Sequence, residues 1–276
     1  NNFGIFLIIP GIRTGVIDTL DNQEALPYEA GLPLKSLSIK VTSHPLLAKL
    51  IALDIPTIPA SSAGPDIREM VLGSEGRMGI ITEVVVRVTP VPQAEQFQVA
   101  FFPSWDAGLT AARELVQQRV ALSMVRLSNP LETISLLHMG AGENTAGVAA
   151  LEASLAEQGI GSGKVMMTLA VTGSQKQCDF NRTAALDICA SRGAVADQSG
   201  LGDNWAHGRF RAPYVRDPLG SAGYAVDTME TAVDWSRVTE SMEKIEQAIR
   251  TGLTDEGEQV HAYTHLSHVY GQGSSI

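Results

Sequence analysis

Residues 66–82 read DIREMVLGSEGRMGIIT, and three glycines, Gly73, Gly76 and Gly79, fall at every third position between two apolar runs. Glycine reaches positive φ without a Cβ clash and lets the backbone come close to another group. The spacing alone supports two readings. One is a tight turn from a helix into a strand, and the other is bare peptide laid against a flat ring or a phosphate. The residues that follow show where the strand lies: GIITEVVVRVTP (79–90) alternates through β-branched side chains and stops at Pro90 and Pro92.

Beyond Pro92 strands and helices alternate. QFQVAFF (96–102) reads as a strand, and SWDAGLTAARELVQQR (104–119) as a helix with Ser104 at its N-cap. ALSMVRL (121–127) is a strand, TAGVAALEASLAEQG (145–159) a helix ended by Gly159, and KVMMTLAVTG (164–173) a strand. SQKQCDFNRTAALDICASRG (174–193) and the amphipathic WSRVTESMEKIEQAIRTG (235–252) are helices, and EQVHAYTHLSHVY (258–270) reads as a strand. Upstream, SHPLLAKLIALDIPTIPA (43–60) suggests a helix and a short strand. Strands separated by helices argue for a mixed layer structure, with the domain boundary in the Pro-rich hinge at 90–94.

Composition narrows the function. With 276 residues the chain can bury a real core, and 44% hydrophobic with 18% charged residues is globular usage. A net charge of −10 argues against nucleic acid, which needs clustered Lys and Arg. A small anionic substrate stays open, since a few local arginines override the global field. The apolar opening FGIFLIIPGI (3–12) is too short to span a bilayer and carries no basic leader, so neither a membrane span nor a signal peptide is expected. Cys178 and Cys189 fall in one predicted helix, roughly 16 Å apart along its axis, too far for a disulfide. Free thiols suit a reducing compartment, and the cytoplasm is the expectation.

Two local patterns resolve to ordinary structure. GSGKV (161–165) lacks both the earlier glycine and the following Ser or Thr of a phosphate loop, so it reads as a turn before a strand. On a strand His261 and His265 share a face while His268 points away, so one metal ion is hard to share and no metal site is expected.

The longer stretch GPDIREMVLGSEGRMGIITEVVVRVTPVP (64–92) resembles the end of the FAD-binding domain of the vanillyl-alcohol-oxidase (PCMH-type) flavoproteins, where a GSEGTLGIIT-like run lies beside the flavin. Here Arg77-Met78 stand in place of the usual Thr-Leu. VALSMVRLSNP (120–130), RAPYVRDPL (211–219) and DTMETAVDWSRV (227–238) follow in the order found in the alkyl-dihydroxyacetonephosphate synthase branch and its bacterial relatives. The resemblance implies an α+β fold: a partial PCMH-type FAD-binding domain over 1–92, and a cap over 93–276 with an antiparallel sheet and helices on one side. It implies FAD, contacted by Ser74, Glu75, Gly76, Gly79, Ile80 and Ile81. It implies a catalytic pocket with Arg126, which would grip an anionic group, and with His268 and Tyr270, which would position substrate or move a proton. Tyr214 and Arg216 are weaker candidates for the same pocket.

The implied activity is FAD-dependent oxidation of a small, anionic, hydroxylated substrate. Alkyl-for-acyl exchange without net redox, and a non-enzymatic remnant without FAD, are the alternatives. A homodimer stays open. DIPTIPA (54–60) resembles the strand before the family's pyrophosphate loop, but SSAGPDIREM follows where that Gly-rich loop would stand. The C-terminal histidine-rich run of the family does not occur either, so the sequence is expected to lack large stretches of a complete family member.

Overall fold

The computed structural model describes residues 39–41, 71–79, 81–84, 91–142, 144–210 and 212–276. It divides into two compact units between Val91 and Pro92. The helix and strand expected over 43–60, and the junction near Ala60, lie outside the described residues.

In the first unit β1 (Ile39–Val41) pairs antiparallel with β2 (Ile81–Val84), and the glycine segment runs immediately before β2.

The second unit is built on β3 (Ala94–Phe102), β4 (Met124–Ser128), β5 (Val165–Gly173), β6 (Val195–Ala196) and β8 (His265–Leu266). They form one antiparallel sheet in the order β6-β3-β5-β4-β8. A small second sheet pairs β7 (Ala232–Asp234) with β9 (Gly273–Ser275). The helices are α1 (Trp105–Gln117), α2 (Pro130–Ala141), α3 (Thr145–Glu157), α4 (Gln175–Ser191), α5 (Leu201–Gly208), α6 (Arg216–Ser221) and α7 (Val238–Gly252).

Helices cover both faces of the large sheet, not the single face expected. The strand alternation shows why, because β5 is buried at seven successive positions and both of its side-chain rows need cover. Val125, Leu127, Val165, Met167, Leu169, Ala100 and Phe102 point to one face and pack with Ala111, Ala112 and Leu115 of α1 and Ala185 and Cys189 of α4. Val99, Phe101 and Met166 point to the other and pack with Leu137 of α2 and Val148 and Leu155 of α3. Phe101, Phe102 and Leu127 are fully buried, each worth about 1.5–3 kcal/mol of apolar transfer.

Helix starts follow local chemistry. Ser104 accepts from Ala107 N–H at 3.3 Å, and Ser174 with Gln177 forms a reciprocal capping box on α4. The sequence reading passed over α2, although Asn129 and Pro130 mark its start plainly: a side-chain acceptor at the N-cap, then a residue with no N–H to satisfy. It also extended the strand at 258–270 too far. Only His265–Leu266 forms a strand there; just before it Ala262 O accepts from Arg250 Nη2, and Thr264 donates its hydroxyl to Glu246 and accepts Asn129 N–H on its carbonyl.

Two of the earlier readings meet their outcome in this unit. Lys164 is buried just before β5, and its Nζ donates to Glu152 of α3 at 2.7 Å, so the GSGKV lysine serves the fold. Both cysteines are free and buried in α4, where burial pushes the Cys189 thiol up to about 12.

Candidate functional site

Arg126 lies on β4, paired with Thr168 of β5, on the sheet face that carries Val99 and Met166. An arginine in the middle of an apolar strand needs a partner, and α2 supplies it. Asn129 caps that helix by accepting Glu132 N–H on its Oδ1 at 2.8 Å. This turns the Glu132 side chain, 1% exposed, back toward the strand. Arg126 Nη2 then donates to Glu132 Oε1 at 2.5 Å.

The third member comes from β8, whose His265 pairs with Ser128 and so lies on the same face as Arg126. His265 Nδ1 is 2.9 Å from Glu132 Oε1 and 3.0 Å from Arg126 Nη2. Arg126 and His265 remain 24% and 31% exposed, while the carboxylate between them is buried. Burial alone would raise the Glu132 carboxyl. The His265 hydrogen bond and the Arg126 and His265 charges outweigh it and hold the group below the ordinary carboxylate value. Tyr263, two residues before His265, has its hydroxyl raised by burial and by the Glu132 charge, partly offset by Arg126. Arg126 Nε and Glu132 Oε2 are buried and have no hydrogen-bond partner in the geometry of the described residues. Such orphaned polar atoms are few in folded proteins, because each costs about 1–3 kcal/mol.

A second buried carboxylate braces this group from behind. Glu246 of α7 accepts from Asn129 Nδ2 at 2.7 Å and from Thr264 Oγ1 at 2.6 Å on one oxygen, and from Arg250 Nη2 at 2.7 Å on the other. It thereby ties the start of α2 to the residue before His265. Sequence reasoning found Arg126 and missed Glu132, His265, Tyr263 and Glu246. The signal for Glu132 was its place as third helical residue after Asn129-Pro130.

His268 and Tyr270 stand on the connection from β8 to β9, and no hydrogen bond or ion pair joins either to Arg126 among the described residues. The exposed His268 ring is 3.9 Å from Glu230, while its carbonyl accepts from Ser275 N–H and Ser274 Oγ. Tyr270 is 56% exposed and lines an open cleft of about 370 Å³ with Asp234, Arg237 and Gln272. Its carbonyl accepts from Trp235 Nε1. Tyr214 and Arg216 are both exposed. His261 meets Ser135 Oγ at 3.0 Å, and among the described residues no three His, Cys, Asp or Glu side chains gather as a metal ion would need.

The glycine segment is a run of tight turns. Ser74, Arg77 and Gly79 donate to the carbonyls of Val71, Ser74 and Gly76. Gly73, Gly76 and Gly79 have φ of 75°, 80° and 143°, and Glu75, at 50°, shares the left-handed region that a side chain rarely enters. Among the described residues, the amides of Glu75, Gly76 and Met78 have no backbone partner, and no atom lies within 4 Å of where a Cβ on Gly73 or Gly76 would stand. Uncovered peptide of this kind suits a group that is gripped through main-chain atoms, so these residues fit a flat cofactor. Ile81 opens β2, and Ile80 lies outside the described residues.

Comparison with known proteins gives the same direction. The chain is 28% identical over 220 residues to an alkyldihydroxyacetonephosphate synthase of Dictyostelium discoideum, covering 77% of this chain and 36% of that protein. A shorter match, 31% identical over 84 residues, covers 30% of this chain and 15% of a mitochondrial D-lactate dehydrogenase (cytochrome) of Arabidopsis thaliana. A solved structure of an alkyldihydroxyacetonephosphate synthase superposes with a TM-score of 0.64 at 28% identity, over 78% of this chain and 41% of that one. The chain thus spans little more than a third of the length of the curated synthase. Residues 91–276 match the family described as FAD linked oxidases, C-terminal domain, and the chain belongs to that family, whose enzymes use FAD.

Proposed function

We propose that the protein carrying this chain is an FAD-dependent oxidoreductase acting on a small, anionic, hydroxylated substrate, with residues 1–92 as part of the FAD-binding domain and 93–276 as the cap. The observation that carries this reading is Arg126. Its Nη2 is held by one buried carboxylate, its Nε is buried without a partner among the described residues, and its side chain is still 24% exposed. A guanidinium fixed on one side and open on another is built to meet a carboxylate or phosphate. Ser74, Glu75, Gly76, Gly79, Ile80 and Ile81 would hold FAD, largely through backbone groups, and bound FAD supplies the electron-accepting ring. His268 and Tyr270 would position the substrate. Two buried, free cysteines suit a reducing, cytoplasm-like compartment.

The test is the visible spectrum of the full-length flavoprotein mixed with a panel of 2-hydroxy acids. Bleaching by one of them, with KM raised tenfold or more in Arg126→Lys, supports the reading. Bleaching with an unchanged KM in that variant removes Arg126 from the site.

A second reading has its own support. The match to an alkyldihydroxyacetonephosphate synthase runs over 77% of this chain, against 30% for the D-lactate dehydrogenase. On that reading the anion is the phosphate of a dihydroxyacetone phosphate ester, and an alkyl group replaces its acyl group without net redox. No bleaching by any 2-hydroxy acid, together with release of the acyl group from such an ester, would select it.

A further inference from the structure

Three polar atoms form a closed triangle at the cap site: Arg126 Nη2 to Glu132 Oε1 at 2.5 Å, Glu132 Oε1 to His265 Nδ1 at 2.9 Å, and His265 Nδ1 to Arg126 Nη2 at 3.0 Å. The arginine is always a donor and the carboxylate always an acceptor, so only the histidine has a choice. If Nδ1 carried a lone pair, it would accept from Arg126 Nη2 at 3.0 Å but would also face a buried carboxylate oxygen at 2.9 Å with no proton between them, and the Arg126 proton would be drawn off the anionic acceptor 2.5 Å away. If Nδ1 carries the proton, two N–H donors converge on one anionic oxygen, an ordinary charge-assisted arrangement. Glu132 is therefore the group that chooses the tautomer, and it chooses Nδ1–H.

The consequence falls on the other nitrogen. A neutral imidazole protonated at Nδ1 has its lone pair on Nε2. His265 Nε2 has no partner among the described residues, and the side chain is 31% exposed. The charged groups in contact with it are Arg126 from β4 and Glu132 from α2, and Tyr263, two residues earlier in the chain, feels the charges of both. The ring thus has an oriented, acid-backed base beside a cation that can hold an anion.

We propose that His265, held in the Nδ1–H tautomer by Glu132, is the group that takes the proton of the substrate hydroxyl, with Glu132 as its positioning residue. This rests on the reading that the substrate meets Arg126. In the step the O–H bond of the substrate breaks and an Nε2–H bond forms. The electron pair stays on the substrate oxygen, the imidazolium formed is stabilised by the Glu132 carboxylate, and its proton returns to water afterwards. His268, whose nearest acidic group is an exposed Glu230 at 3.9 Å, has no such backing.

The experiment has a structural arm and a kinetic arm, both on the full-length protein. In the first, ¹⁵N-histidine NMR of the wild type at pH 8 identifies the His265 ring among the protein's histidines by its loss in His265→Asn. The expected result is Nδ1–H in the wild type, shifting toward Nε2–H in Glu132→Gln; a wild-type ring already protonated at Nε2 overturns the proposal. In the second, His265→Asn keeps a donor for Glu132 but has no base. It is expected to lower kcat by 10²–10⁴-fold with KM changed less than threefold, and to lose the acidic limb of the kcat/KM profile. Retention of kcat within threefold, or a change confined to KM, overturns the assignment to His265 alone. A wild type that turns over no hydroxylated substrate overturns the functional reading beneath it, whichever tautomer the spectrum shows.

Discussion

Asn129 Oδ1 accepts the backbone N–H of Glu132 at 2.8 Å, so the cap of α2 and the aim of the buried carboxylate are one structural decision. The same amide donates through Nδ2 to Glu246 at 2.7 Å. Asn129→Ala removes a helix cap and leaves one oxygen of a buried carboxylate short of a donor. The expected loss is about 2–3 kcal/mol, a cap of about 1 plus a hydrogen bond to a charged group. Urea unfolding of the full-length protein measures it. A change under 0.5 kcal/mol would show that the two bonds are not coupled to stability.

Glu132→Gln tests the carboxylate itself. Removing one partner of a buried ion pair costs about 3 kcal/mol at neutral pH, because Arg126 keeps its charge without its counterpart. The pH dependence follows from the direction of the shift. Glu132 titrates lower in the folded protein than its ordinary 4.5, so its contribution is present above that value and fades as pH falls through the folded value. The stability gap between wild type and variant is therefore expected to be full at pH 7 and to narrow below about pH 4.5. Unfolding curves at pH 7, 5 and 3.5 check the sign. A gap that widens in acid would mean that the folded protein holds Glu132 protonated.

Two glycines in helices are expected to respond oppositely to alanine. A Cβ on Gly202 of α5 would stand 2.6 Å from the carbonyl oxygen of Phe97, a backbone atom that cannot swing away. Gly202→Ala should cost about 1–3 kcal/mol. Gly140, near the end of α2, has nothing within 4 Å of its added Cβ, and Gly140→Ala should stabilise by about 0.4–1 kcal/mol through lost chain entropy in the unfolded state. Thermal melts of the pair side by side report both.

The thiols give a simple folding assay. Cys178 and Cys189 are buried, and the Cys189 thiol is pushed up to about 12. Neither is expected to react with a thiol reagent at pH 8 in native protein, and both should react in denaturant. Fast native labelling at either would place α4 outside the packed core.

β3, β4 and β5 were legible because each is an apolar run bounded by turn residues, and Ser104 announced the start of α1; β6, β7 and β9 are too short to stand out. The glycine segment was legible because glycine spacing is written in residue names. The partners of Arg126 were not. Glu132 stands six positions from Arg126 and His265 stands 139, and only the register of β4 with β8 puts the latter beside it. The sidedness of the sheet was hidden for a related reason. Near-continuous apolar runs such as VMMTLAV carry no alternation from which a second covered face could be read.

The two edges of the large sheet have a bearing on how copies of this chain can meet. β6 and β8 are two residues long, and beyond β6 the outer rim of β3 is occupied by Asp197 N–H on Val99 O and by the close seat of Gly202 on Phe97. Among the described residues, a neighbour trying to extend the sheet would meet a two-residue strand at either edge, and short edge strands are one protection against chains stacking edge to edge.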